Sequence, residues 1–197
     1  TWNSIRTLDF ALSLPEADPS RVAITGASGG GTQSMILSAI DPRITVAFPA
    51  VMVSEDMQGG CVCDNCSLLR VGLNNIEFAA CFAPKPMGMT GANDWTREIE
   101  TKGLPQLKKI YALYGTEDNV HAWHRSFPHN YNQVSRELMY NVINKAFKLG
   151  LPEPVAEKPF VPFSPKELYV WDDQHPLPAD AADALALRKT WQKLSDA

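Results

Sequence analysis

Trp2, Ile5, Leu8 and Leu12 recur at near-helical spacing along the first residues of the chain, and the pattern predicts an amphipathic helix over residues 2–14. "PEADPS" breaks it. "RVAITG" is a short β-branched run suited to a buried strand. Glycines follow, and then "TQSMILSAI", a predicted helix closed by "DPR". "ITVAFPAVMV" predicts a second buried strand. Residues 54–80 are irregular and bear Gly, Asn and Cys, with a short helix expected near Ile76–Phe82. "PKPMGMTGA" predicts a strand that opens after prolines.

The stretch "LKKIYALYG" has the residue types of a strand, but Leu104, Leu107, Ile110, Tyr111 and Tyr114 repeat at steps of three and four. Gly115 stands where a helix C-terminus favours glycine, so the prediction is helix. "NVHAWHRSF" is the next strand, and "NQVSRELMYNVINKAFKL" a long helix ending at Gly150. "LPEPVAEKPFVPFSP" is proline-rich and expected to run extended; a last helix covers roughly Ala179–Leu194. Four strands alternating with helices predict an α/β fold with a mostly parallel sheet flanked by helices. The expected division is residues 1–150 for the sheet and its helices, and 151–197 for an extended segment plus a C-terminal helix packed on them.

Composition narrows the function. The 197 residues are 45% hydrophobic and 20% charged, with a net charge of −4 and no Lys/Arg cluster, so nothing marks a nucleic-acid partner. No apolar run approaches the ~20 residues of a membrane span. The chain opens with "TWNSIRTLDF", which is neither an initiator methionine nor a signal peptide.

The glycine stretch "VAITGASGGGT" admits two chemistries. It is similar to the opening of short-chain dehydrogenases, but Thr32 stands at the last glycine position of that nucleotide loop. None of Tyr111, Tyr114, Tyr131, Tyr140 or Tyr169 has a lysine four residues on, and the Gly-Lys-Ser/Thr of a phosphate loop is absent. The alternative is Gly26-Ala27-Ser28-Gly29-Gly30, a G-x-S-x-G pattern between a strand and a helix. Such a turn holds a serine in a strained conformation and requires tiny residues two positions before and after it. The N–H of Gly29, at the helix N-terminus, then points where an oxyanion would form. A serine needs a base and an orienting acid. Asp94 in "GANDWT" lies just beyond a strand end, and His129 in "SFPHNYN" lies in the loop after the next strand. Both fit the order Ser, acid, His. Asp118 in "YGTEDN" would replace Asp94 if "KKIYALYG" were a strand. His121 and His124 fall within a strand, and His175 reads as surface.

"ADPSRVAITGASGGGTQSMILSAIDPRI", "GGCVCDN", "GANDWT" and "PHNYNQVSRE" together resemble the acetyl xylan esterase-like branch of the α/β-hydrolases, over about residues 1–150. The resemblance implies an esterase that removes acetyl or other short acyl groups from plant polysaccharide or small esters, without a cofactor. It implies Ser28 as nucleophile, Asp94 as acid and His129 as base, and an extracellular or periplasmic location. It also implies strands before the nucleophile strand, and a loop supplying a second oxyanion donor, that these 197 residues do not include. Prolyl-oligopeptidase-type peptidases share "DPSR" before a serine elbow, so amide cleavage is the second enzyme reading. A non-catalytic hydrolase-fold binding module is the third.

Two expectations concern what surrounds this site. Cys61, Cys63 and Cys66 in "CVCDNC" lack a fourth metal ligand nearby, so a disulfide or buried thiols is expected there rather than zinc; Cys81 is the fourth cysteine. A sheet that begins at "RVAITG" leaves that strand's flank open. The chain is therefore expected to form a homo-oligomer or to associate with a preceding portion of the fold, unless residues around "PFVPFSPKELYVW" cover the edge.

Overall fold

The computed structural model describes residues 1–56 and 72–196. The cysteines at 61, 63 and 66, and with them the choice between disulfide and thiols, lie outside the described residues. Two compact units divide the chain, Thr1–Glu157 and Lys158–Ala197.

In the first unit a helix α1 (Trp2–Ser13) precedes strand β1 (Ala23–Ala27), helix α2 (Gly29–Ile40), strand β2 (Val46–Ala50) and helix α3 (Asn75–Ala80). Strand β3 (Met87–Gly91), a π-helical turn at Ile99–Gly103, helix α4 (Leu104–Ala112), strand β4 (Val120–His124) and helix α5 (Gln133–Phe147) follow. The four strands form one parallel sheet in the order β1-β2-β3-β4. β2 and β3 are buried along their whole length, as apolar strands inside a parallel sheet must be. β1 stands at one edge, and none of its five residues is buried.

Alternation along the strands splits the interior in two. Ala47, Met87, Met89, Val120 and Ala122 face a core filled by Leu8 of α1, Met35, Ile36 and Leu37 of α2, Ile76 and Ala79 of α3, and Leu107 and Tyr111 of α4. Phe48 and Ala50 face the other way, toward Met139 of α5 and the ring of Tyr131. Gly88 makes that second packing possible, because a Cβ there would lie 2.8 Å from the Phe48 ring and 2.9 Å from Val142 of α5.

Local chemistry sets the boundaries. α3 starts with a capping box: the Asn74 side chain accepts from Ile76 N at 2.8 Å while Glu77 accepts from Asn74 N at 2.7 Å. α5 is capped by Asn132, which accepts from Ser135 N at 3.1 Å. It stops at Phe147 instead of reaching Gly150, because Lys148 itself takes the left-handed conformation (φ 53°). α4 is helical as its spacing predicts; Leu107 and Tyr111 are buried in the core, Leu104 packs against it half-buried, and Ile110 and Tyr114 are exposed.

The first unit extends past the expected boundary because residues 151–157 are bound to α5. Asn144 bonds Leu151 in both directions at 3.1 Å, and Asn141 bonds the backbone of Val155. Arg136 grips both oxygens of Glu157 at 2.7 and 2.6 Å. In the second unit a helix α6 (Ala184–Ser195) begins five residues later than the expected Ala179, where Asp183 accepts from Ala186 N at 2.7 Å and caps it. No helix among the described residues is long and apolar enough to cross a membrane.

Candidate active site

The loops at the carboxyl ends of β1, β3 and β4 carry Ser28, Asp94 and His129, the residues singled out by sequence. Ser28 sits between β1 and α2 with φ 56° and ψ −121°, a conformation that non-glycine residues adopt only under constraint. Its N–H donates to Ala50 O at 3.1 Å, and its carbonyl accepts from Thr32 N at 2.9 Å, so β2 and the first turn of α2 hold it from both sides. Gly26 has no room for a side chain: a Cβ would lie 2.6 Å from both C and O of Gly30. The requirement expected at Gly30 falls on Gly31 instead. A Cβ at Gly30 meets open space, whereas one at Gly31 would lie 2.8 Å from Ala50 O. Gly29 is the first residue of α2, so its N–H has no intrahelical acceptor and lies at the positive end of the helix dipole.

Asp94 lies three residues beyond β3, and its two carboxylate oxygens divide their work. Oδ1 accepts from Thr96 N at 2.7 Å and Thr96 Oγ1 at 2.5 Å. Oδ2 pairs with Nδ1 of His129 at 2.7 Å. Thr96 is fully buried and its hydroxyl also accepts from Ala92 N at 2.9 Å, which closes the loop over Gly91. The carboxylate is thus aimed by a residue that reading along the chain did not single out. Because Asp94 takes Nδ1–H, the neutral imidazole presents Nε2 as its basic nitrogen.

His129 occupies the loop between β4 and α5, and about a third of its side chain is exposed. The Trp95 ring lies against it, with centroids 4.9 Å apart and planes inclined by 31°. The loops carrying acid and base are also joined through Asn93. Its N–H donates to Phe127 O at 2.8 Å, its amide to Ser126 Oγ at 3.1 Å, and its carbonyl oxygen meets His124 Nε2 at 3.1 Å.

The structure therefore brings Asp94 and His129 together. No hydrogen bond joins Ser28 Oγ to His129. Asp118 lies in a short 3₁₀ turn before β4, at the opposite end of that strand from the His129 loop. His121, half-buried on β4, is stacked on Trp123, and burial together with Lys145 and Lys108 lowers its pKa. His175 is exposed in the second unit and pairs with Asp172 at 2.9 Å.

A parallel sheet flanked by helices, with a serine held in a strand-to-helix elbow and an aspartate and a histidine on the loops after the third and fourth strands, has the architecture of the α/β hydrolases. The relatives found by comparison with known proteins are esterases. No protein-family profile matches the chain. The acetyl esterase Axe7A of Xylanibacter ruminicola is 34% identical over 116 residues, 59% of this chain and 25% of that protein. A 4-O-methyl-glucuronoyl methylesterase of Sodiomyces alcalophilus is 36% identical over 64 residues, 32% of this chain and 12% of that protein. Among solved structures, methylesterase BT1017 superposes with a TM-score of 0.69 at 32% identity, over 74% of this chain and 34% of that one. A glucuronoyl esterase of carbohydrate esterase family 15 from Caldicellulosiruptor kristjansonii shares the fold, with a TM-score of 0.59 at 18% identity over 83% of this chain and 53% of that one. The fold is that of the α/β-hydrolase esterases, and the chain spans a quarter or less of the curated relatives it matches.

Proposed function

We propose that this chain carries the catalytic groups of a serine esterase acting on short acyl esters of carbohydrate, with acetylated plant polysaccharide such as xylan as the substrate class. The observation that carries the reading is the 2.7 Å pair between Asp94 and His129, on the loops after β3 and β4, in a sheet whose β1 ends in the strained serine elbow. Ser28 Oγ attacks the ester carbonyl as His129 Nε2 takes its proton. Asp94 orients the imidazole and stabilises the imidazolium that forms. The tetrahedral oxyanion accepts from Gly29 N–H. Collapse expels the alcohol, which takes the proton back from His129, and leaves an acyl-Ser28 ester. Water, deprotonated by the same imidazole, then releases the acid. One oxyanion donor is worth ~10²–10³ in rate.

A second reading is favoured by the methylesterase names among the relatives. On a methyl-esterified uronic acid the same steps run with methanol as leaving group and the uronoyl group on Ser28. Two kinds of ester separate the readings. Turnover of an aryl acetate and of acetylated xylooligosaccharide, with none of a methyl glucuronate, supports the acetyl esterase; the reverse supports the uronate methylesterase. Cleavage of a prolyl amide with neither ester turned over would overturn both.

A further inference from the structure

Asp94 fixes how the imidazole is turned, but not how near it comes to the nucleophile. Asp94 follows β3, whereas Ser28 follows β1, two strands away. The loop after β4 lies three strand spacings from β1, roughly 14 Å, and must be drawn across the sheet for His129 to reach Ser28. Among the described residues, one side chain is hydrogen-bonded across that span. Tyr131, two residues after His129, hydrogen-bonds through its phenol to Thr25 Oγ1, three residues before Ser28 on β1.

The direction of this bond follows from proton counting. A threonine hydroxyl has one hydrogen, and Thr25 gives it to Phe48 O at 2.9 Å. The phenol of Tyr131 is therefore the donor to Thr25. Its ring packs on the cluster of Phe48, Ala50 and Met139, and burial raises the phenol's pKa, which keeps the proton it donates. The backbone of Tyr131 is held as well. Its carbonyl accepts from Arg136 Nη1 at 2.7 Å, and Arg136 is locked in turn by Glu157, which also accepts from Tyr140 OH at 2.9 Å. Tyr131 is thus gripped from α5 at one end and reaches β1 at the other.

We infer that Tyr131 is a positioning residue: its hydrogen bond to Thr25 holds the His129 loop against the nucleophile strand and sets the approach of His129 Nε2 to Ser28 Oγ. The inference rests on the esterase reading above. A displacement of about 1 Å in such an arrangement lowers the rate by up to ~10². Tyr131→Phe keeps the ring and its packing and removes only the donor. Thr25→Val removes the acceptor at an exposed edge position, and so reports even if the tyrosine variant folds poorly.

The test is steady-state kinetics on an aryl acetate. Both variants should lose kcat by ~10-fold or more while KM changes less than ~2-fold. The double variant should be no worse than either single one, and Thr25→Ser, which restores the hydroxyl, should recover kcat. Unchanged kcat in Tyr131→Phe and Thr25→Val, with the wild type active and Ser28→Ala inactive, overturns the inference and leaves the esterase reading intact. A loss in Thr25→Ser equal to that in Thr25→Val also overturns it. An inactive wild type, unreactive toward fluorophosphonate, overturns the esterase reading and the inference with it.

Discussion

Replacing Gly26 by alanine puts a methyl group 2.6 Å from both C and O of Gly30. Carbon contacts at rest lie near 3.5–4.0 Å, so β1 and the start of α2 must separate by roughly 1 Å. Both partners are backbone, and no side chain can turn aside to relieve the overlap. Overpacking of this kind costs about 1–3 kcal/mol. At ~2–4 °C per kcal/mol for a domain of this size, Tm should fall by about 2–12 °C. Ser28 and the Gly29 N–H sit between the two separating segments, so the same shift should lower kcat by ~10². Gly30→Ala is the control. Its Cβ meets open space, and a glycine leaves the first turn of a helix, a change worth up to ~1 kcal/mol in favour of folding. Tm should hold or rise, and kcat should persist. Differential scanning calorimetry with aryl acetate kinetics on the two variants reads all four quantities. Equal damage from the two substitutions, or wild-type kcat in Gly26→Ala, would refute the geometry of the elbow.

Asp94→Asn should lower kcat by orders of magnitude, since an amide favours the wrong imidazole tautomer, whereas Asp118→Asn at the far end of β4 should leave it unchanged. Kinetics with the reverse ranking would move the acid to Asp118. Glu157 is held by Arg136 with its carboxyl pKa lowered from 4.5 to about 2, so it stabilises the fold above pH 4.5 and that contribution is lost as pH falls toward 2. Urea unfolding should show Glu157→Gln less stable than wild type at pH 6, with the gap closing by pH 2; a gap independent of pH would contradict the ion pair. The outer edge of β1 has no partner strand among the described residues. Sedimentation at low micromolar concentration should therefore show self-association, and a compact single-chain species that is active and protease-resistant would rule it out.

The pattern of apolar positions carried most of the architecture: β2 is buried on both faces and reads as an unbroken apolar run, and β3, buried likewise, departs from one only at Thr90 and its glycines. Asp94 and His129 were legible from their order after successive strands, and the structure places them in contact. What could not be read along the chain are the through-space contacts. Thr96 aims Asp94 from two residues away, Trp95 lies against the imidazole, and Tyr131 meets Thr25 across 106 positions. Gly31 matters through its closeness to Ala50 O, on another strand, so spacing alone assigned its role to Gly30. The order of segment 151–157 was not legible because it comes from hydrogen bonds to Asn141, Asn144 and Arg136 of α5, which no local pattern announces.

Everything proposed for this site requires Ser28 to be an activated nucleophile served by Asp94 and His129. Reaction of the 197-residue chain with a fluorophosphonate probe, followed by mass spectrometry of the digested protein, addresses it directly, because only an activated serine reacts. A single label is expected on the peptide that contains Ser28, lost in Ser28→Ala and slowed by orders of magnitude in Asp94→Asn and His129→Ala. A folded wild-type chain that stays unlabelled, or that reacts at Ser28 equally fast without Asp94 and His129, would contradict it.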